Sequence, residues 1–128
     1  MAICLNTKSA LILYQELLNS EYFVDKSAMI EHISKRIRTN TKYVCITKPR
    51  RFGKTSVLNM LGAYYGKAYD AADLFEGSAI SKCASYTDHL NQYHVISLCL
   101  NEIPLDWSRY EDYIAQFNNA IIHDVKES

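Results

Sequence analysis

The sequence predicts an α/β fold of parallel strands flanked by helices, and three observations carry that expectation. Two continuous apolar runs, "YVCIT" at Tyr43–Thr47 and "HVISLCL" at His94–Leu100, have the β-branched and aromatic make-up of strands covered on both faces. Around them lie segments whose apolar residues repeat at three-to-four spacing, the period of a helix. The resulting order of helix, helix, strand, helix, strand, helix is that of a parallel sheet with right-handed crossovers. A chain of 128 residues has room for one core, so residues 1–128 are expected to form a single domain.

Taken in order, Ser9–Leu18 reads as a short amphipathic helix, which "EYFVDKS" then interrupts. Asp25 or Ser27 can cap the next helix, where Met29, Ile30, Ile33 and Ile37 share a face and Lys35, Arg36 and Arg38 crowd the C-terminal end that suits cations. "RTNTK" is a polar loop before the first strand, and Pro49 ends that strand because proline has no N–H for a ladder. Beyond Gly53, "KTSVLNMLGAYYG" sets Val57, Leu58, Leu61 and Tyr65 on one helical face and stops near Gly66. Residues 67–92 are polar, with "DAADLFEG" as a helical turn. After the second strand, Pro104 and the cap Asp106 open a long amphipathic helix with Trp107, Tyr110, Ile114, Phe117, Ile121 and Val125 on its stripe.

Fourteen basic and fourteen acidic residues cancel, so no global field draws the chain to nucleic acid or to an anionic membrane. The strong imbalance is local: Lys42, Lys48, Arg50, Arg51 and Lys54 fall within thirteen residues that contain no carboxylate. Cys4, Cys45, Cys83 and Cys99 form no C-x-x-C pair and are read as reduced, mostly buried thiols of a cytoplasmic protein. The apolar stretch near the N-terminus is broken by Gln15 and Glu16 and lacks a cleavage site, and no run approaches membrane-spanning length, so a soluble chain is expected. His89 and His94 have no acid or thiol at ligand spacing, and the ten tyrosines are dispersed without a basic face, which argues against a metal centre and a base-stacking platform.

The basic cluster surrounds "KPRRFGKT". A phosphate-binding loop has Gly, four residues, then Gly-Lys-Ser/Thr; here Gly53-Lys54-Thr55 completes the second half and Lys48 stands at the first glycine. The chemistry lies mainly in that second half. Backbone N–H groups from Arg51 to Thr55, turning into a helix N-terminus, form an anion nest, and the Lys54 ammonium reaches the β and γ phosphates. Gly53 lets the backbone approach where a Cβ would intrude, and the Thr55 hydroxyl is an oxygen ligand for Mg²⁺. Lys48 followed by rigid Pro49 supplies a different turn out of the strand. The plain alternative makes Lys54 a solvated helix-start lysine and the loop an exposed connection.

"YFVDKS" at 22–27, "ITKPRRFGKTSVLNML" at 46–61, "LFEGSAI" at 74–80 and "YHVISLCL" at 93–100, in this order, resemble the N-terminal part of the predicted AAA-ATPase-like family of bacterial P-loop proteins. The family's loop usually reads Arg-Pro-Arg-Arg-Phe-Gly-Lys-Ser, with a basic residue at the first glycine position. The resemblance therefore implies a partial P-loop NTPase fold of three layers. It also implies ATP and Mg²⁺ as cofactors, held by Lys48, Pro49, Arg50, Arg51, Phe52, Gly53, Lys54, Thr55 and Ser56, with Thr55 on the metal. It places Tyr22, Phe23, Val24 and Asp25 beside the adenine.

Members usually continue with a strand ending in Ile-Asp-Glu-Tyr, which holds Mg²⁺ and polarises water, and that motif does not occur in this chain. The resemblance thus covers the front portion of such a protein, whose sheet a further C-terminal region or another chain would complete. Glu102, at the end of "ISLCLNE", is the internal candidate for a catalytic carboxylate, against the plain reading of a strand-end acid. Whether ATP is hydrolysed is left open. Two rival functions stand beside the nucleotide: an interaction protein with a degenerate loop, whose open strand edge another chain covers, and a nucleic-acid-binding module using "KPRR", which the neutral net charge disfavours.

Overall fold

Residues 5–98 and 108–127, those that the computed structural model describes, fold into six α-helices and one 3-10 turn: α1 Ser9–Leu18, α2 Ala28–Ser34, α3 Lys54–Tyr65, α4 Ala72–Phe75, α5 Tyr86–His89 and α6 Tyr110–Glu127, with the 3-10 turn Ile80–Lys82 between α4 and α5. The expected parallel sheet is overturned. Among the described residues β-pairing is limited to two isolated bridges, antiparallel Leu5 with Ile96 and parallel Gly66 with Tyr93. The run 43–47 is irregular chain in which Tyr43 is 84% exposed, and in the second run Ile96 is 51% exposed.

The physical reason is that an apolar run states a preference for burial but carries no partner of its own. Two strands alone are marginal even when they meet, and among the described residues these two form no ladder with each other. Cys45 is accordingly exposed, against the expectation of a buried thiol, while Cys83 is half-buried. Leu100 and Cys99, with Glu102, Pro104, Asp106 and Trp107 of the expected last segments, and Cys4, lie outside the described residues.

The helical expectations fare better. α1 packs on α3, and the two approach so closely that a Cβ built on Gly62 would stand 2.8 Å from the Ala10 Cβ. The buried face of α3 is Val57, Met60, Ala63 and Tyr64, whereas Leu58, expected on that face, is exposed. Gly66 ends α3 as the sequence indicated. Around Tyr64 an aromatic core forms: Phe75 stacks on Tyr14 with centroids 5.1 Å apart and meets Tyr64 edge-on at 5.3 Å, while Ile30 and Ile80 close it from α2 and the 3-10 turn. Offset and edge-on ring contacts add to the burial of aromatic area.

The polar stretch before the second run is ordered by Asn91. Its amide donates to the Ala63 and Gly66 carbonyls at 3.1 and 2.6 Å, and its oxygen accepts from the Ala71 N–H at 3.1 Å, so one side chain satisfies two carbonyls at the end of α3, while those of Tyr64 and Tyr65 accept from the Asn91 and Tyr93 N–H groups. α6 keeps part of the expected stripe, with Ile114, Phe117 and Ile121 half-buried, whereas Tyr110 and Val125 of that stripe are exposed; Asp124 is buried and accepts from the Leu5 N–H at 3.0 Å. No helix among the described residues is long and apolar enough to cross a membrane.

Asp25 proves to be a structural staple. Its two carboxylate oxygens accept from the Ser27 N–H at 2.8 Å and the Ala79 N–H at 2.7 Å, tying the start of α2 to the 3-10 turn, while the Ser27 hydroxyl accepts from the Ile80 N–H at 3.1 Å. Partial burial pushes its pKa up, but the hydrogen bonds from Ser27 and Ala79 together with the Lys82 charge outweigh it and hold the carboxyl below its ordinary 3.8. A carboxyl lowered on folding stabilises the folded chain above its unfolded pKa and ceases to do so as pH falls below it. Asp25→Ala is therefore expected to lower stability at pH 7 by about 1–2 kcal/mol. The difference from wild type should shrink as denaturant melts are taken from pH 5 to pH 2; a constant difference would contradict the staple.

Candidate functional site

The site grows from the connection into α3. Arg51 and Gly53 both adopt the left-handed conformation, φ +66° and +82°, which bends the loop back on itself immediately before the helix. Left-handed backbone is costless for glycine and uncommon for arginine, and such departures cluster where backbone must present itself to a ligand. Gly53 is the N-cap of α3 and no side chain caps the helix, so the first amides, those of Lys54, Thr55 and Ser56, have no intrahelical partner. The Lys54 ammonium folds over the loop and donates to the Lys48 carbonyl at 2.7 Å.

The loop forms one wall of a cleft of about 320 Å³. Arg51, Phe52, Gly53 and Ser56 face Tyr22, Phe23, Val24 and Lys26 of the α1–α2 connection, with Leu17, Tyr14, Val57 and Met60 as the apolar floor. Two stretches more than twenty residues apart in sequence thus meet across one space, and the lining contains cations but no carboxylate. Lys26 spans it, donating to the Phe52 carbonyl at 3.2 Å. Among the described residues the ion pairs are Lys35 with Glu31 and His123 with Asp124 and Glu127, so neither Lys26 nor any cation of the loop is neutralised by a carboxylate.

Of the residues singled out in the sequence, Tyr22, Phe23, Val24, Arg51, Phe52, Gly53 and Ser56 come together in this cleft. Lys48, Pro49 and Arg50 are exposed on the approach to it. Asp25 is engaged by Ser27 and Ala79 instead. Thr55 lies on another side of α3, in a groove of about 390 Å³ shared with Leu13, Leu58, Ile96 and Leu98. Among the described residues no group of three His, Cys, Asp or Glu could hold a metal. His89 pairs with the Tyr93 hydroxyl and His94 with the Asn6 amide, both at 2.7 Å.

Sequence reasoning passed over Lys26, Tyr14, Leu17 and Met60. Lys26 stands inside the quoted "YFVDKS", so its motif was visible while its reach was not. Tyr14 is 1% exposed, and its hydroxyl is buried without a hydrogen-bond partner. Burial, with the Asp25 charge behind it, pushes that phenol up to about 12, so it stays a proton donor at neutral pH.

The model of the family described as Predicted AAA-ATPase matches residues 12–128, a span that takes in the loop, the α1–α2 connection, most of α1 and the helices from α2 to α6. No curated protein matches the chain, and no solved structure does.

Proposed function

The chain belongs to the predicted AAA-ATPase-like family, and from that premise we propose that it binds ATP with Mg²⁺ in the cleft between the KPRRFGKT loop and residues 22–26. The observation that carries the reading is the meeting of two chemistries in one space. At one end stand unpartnered amides of the α3 N-terminus, a glycine in left-handed backbone and cations without carboxylates; these suit phosphate. At the other end Tyr22, Phe23, Val24, Leu17 and Met60 offer aromatic and aliphatic surface to a flat base.

In this reading Lys54 leaves the Lys48 carbonyl for the distal phosphates, Gly53 gives them room, and Arg50 and Arg51 add charge at the loop. The chemistry that bound Mg²⁺ would supply there is screening of the triphosphate charge. The Thr55 hydroxyl, to which the family resemblance assigns the metal, lines the other groove of α3, so no residue of the cleft lining is given that role.

Binding and turnover are separate claims. An attacking water needs a group to orient it, and the described lining of the cleft has no carboxylate for that task. The isolated chain is therefore expected to bind MgATP and release phosphate at background rate in a steady-state assay. Turnover well above background, lost in both Lys54→Ala and Glu102→Gln, would instead make Glu102 the catalytic carboxylate. Failure of the chain to bind MgATP by calorimetry would remove the proposed function itself.

A further inference from the structure

The position of Lys26 is electrostatically odd. Its ammonium lies 2.7 Å from where a Gly53 Cβ would be, at the N-terminus of a twelve-residue helix, the end whose dipole repels cations and attracts anions. Arg51 lines the same cleft, and Lys54 folds over the same loop. What offsets the Lys26 charge is a neutral carbonyl, Phe52 at 3.2 Å, a contact that an anionic oxygen would outcompete. The Tyr14 ring forms part of the cleft floor, while its hydroxyl is sealed from solvent without a partner.

Lys26 and Lys54 are not equivalent. Lys26 lines the cleft on the same segment as Tyr22, Phe23 and Val24, whereas Lys54 does not line it and donates to the Lys48 carbonyl. An elongated ligand with its apolar end against Tyr22 and Phe23 would pass Lys26 before it reached Lys54.

Building on the proposed nucleotide site, we propose that Lys26 is a second phosphate-binding cation, which exchanges the Phe52 carbonyl for the phosphate nearest the nucleoside while Lys54 takes the distal ones. Lys26 then links recognition of the base end to the loop, since the side chain of the 22–26 segment that holds the loop in the free chain turns to the ligand in the bound one. It also sets the ligand class: a nucleoside di- or triphosphate is gripped at both ends of its phosphate chain.

Calorimetric titration of ADP and of MgATP into wild type, Lys26→Met, Lys26→Arg and Lys54→Ala tests this. Lys26→Met keeps the stem and removes the charge; it should weaken ADP and MgATP by the same factor, about tenfold, with a thermal midpoint near that of wild type. Lys26→Arg should restore most of the loss. Wild-type affinities in Lys26→Met, or a loss that arginine does not restore, would overturn the assignment. The Lys54→Ala arm separates the two readings. Normal MgATP binding in that variant with a tenfold loss in Lys26→Met would sink the role given to Lys54 and keep Lys26, and the reverse pattern would sink Lys26 alone.

Discussion

Lys54→Ala is expected to weaken MgATP binding by about 2–3 kcal/mol, roughly 30- to 150-fold, the value of a charge-assisted contact. The side chain stands on the first residue of α3 and its ammonium already bends over the loop to the Lys48 carbonyl at 2.7 Å. Exchanging that neutral acceptor for phosphate oxygens gains Coulomb energy at little cost in side-chain order. Because Lys54 is exposed, its removal should leave stability within about 0.5 kcal/mol of wild type, so a lost affinity would report the site and not the fold. Equal affinities in calorimetry would make Lys54 a solvated helix-start lysine, the plain reading of the sequence.

Gly53→Val is expected to abolish nucleotide binding while the helices persist. At φ +82° a β-branched residue is strained, at a cost on the order of 1–3 kcal/mol. The new Cβ would also stand 2.7 Å from the Lys26 ammonium, so Lys26 must leave its place and the branch then fills the space over the α3 amides. Tyr64 and Phe75 of the core do not line this cleft, and circular dichroism should retain the helical signal. A folded variant that still binds normally would show that the loop is only a connector.

How much of this was legible in the sequence depends on the range of the interaction involved. α1, the start of α3 at Gly53-Lys54 and its stop at Gly66 could be read because caps, glycines and the 3.6 period act within a few residues. The meeting of the loop with Tyr22, Phe23 and Val24 followed from the family resemblance, not from spacing. The sheet failed at a specific point: "YVCIT" and "HVISLCL" have strand composition, but composition cannot supply the neighbouring backbone that turns an apolar run into a ladder, and Tyr43 and Ile96 stay exposed. Leu58 misled for a related reason, since the face of α3 that is buried is fixed by where α1 and Phe75 sit. Asp25 and Lys26 illustrate contacts across distance. Each lies within the same quoted motif, yet one reaches Ala79 and the other Phe52, and no local rule tells the staple from the cleft-lining cation.

The central claim is that the loop and the 22–26 segment form one binding site. Titrating MgATP into the isotopically labelled chain and following the backbone amides by NMR tests it most directly. The account predicts that the amides of Arg51–Ser56 and of Tyr22–Val24 shift together along one saturation curve, joined by Val57 and Met60 on the cleft floor, while Ile96–Leu98 in the separate groove stay in place. Shifts confined to that groove, or a loop that responds while residues 22–24 do not, would contradict it.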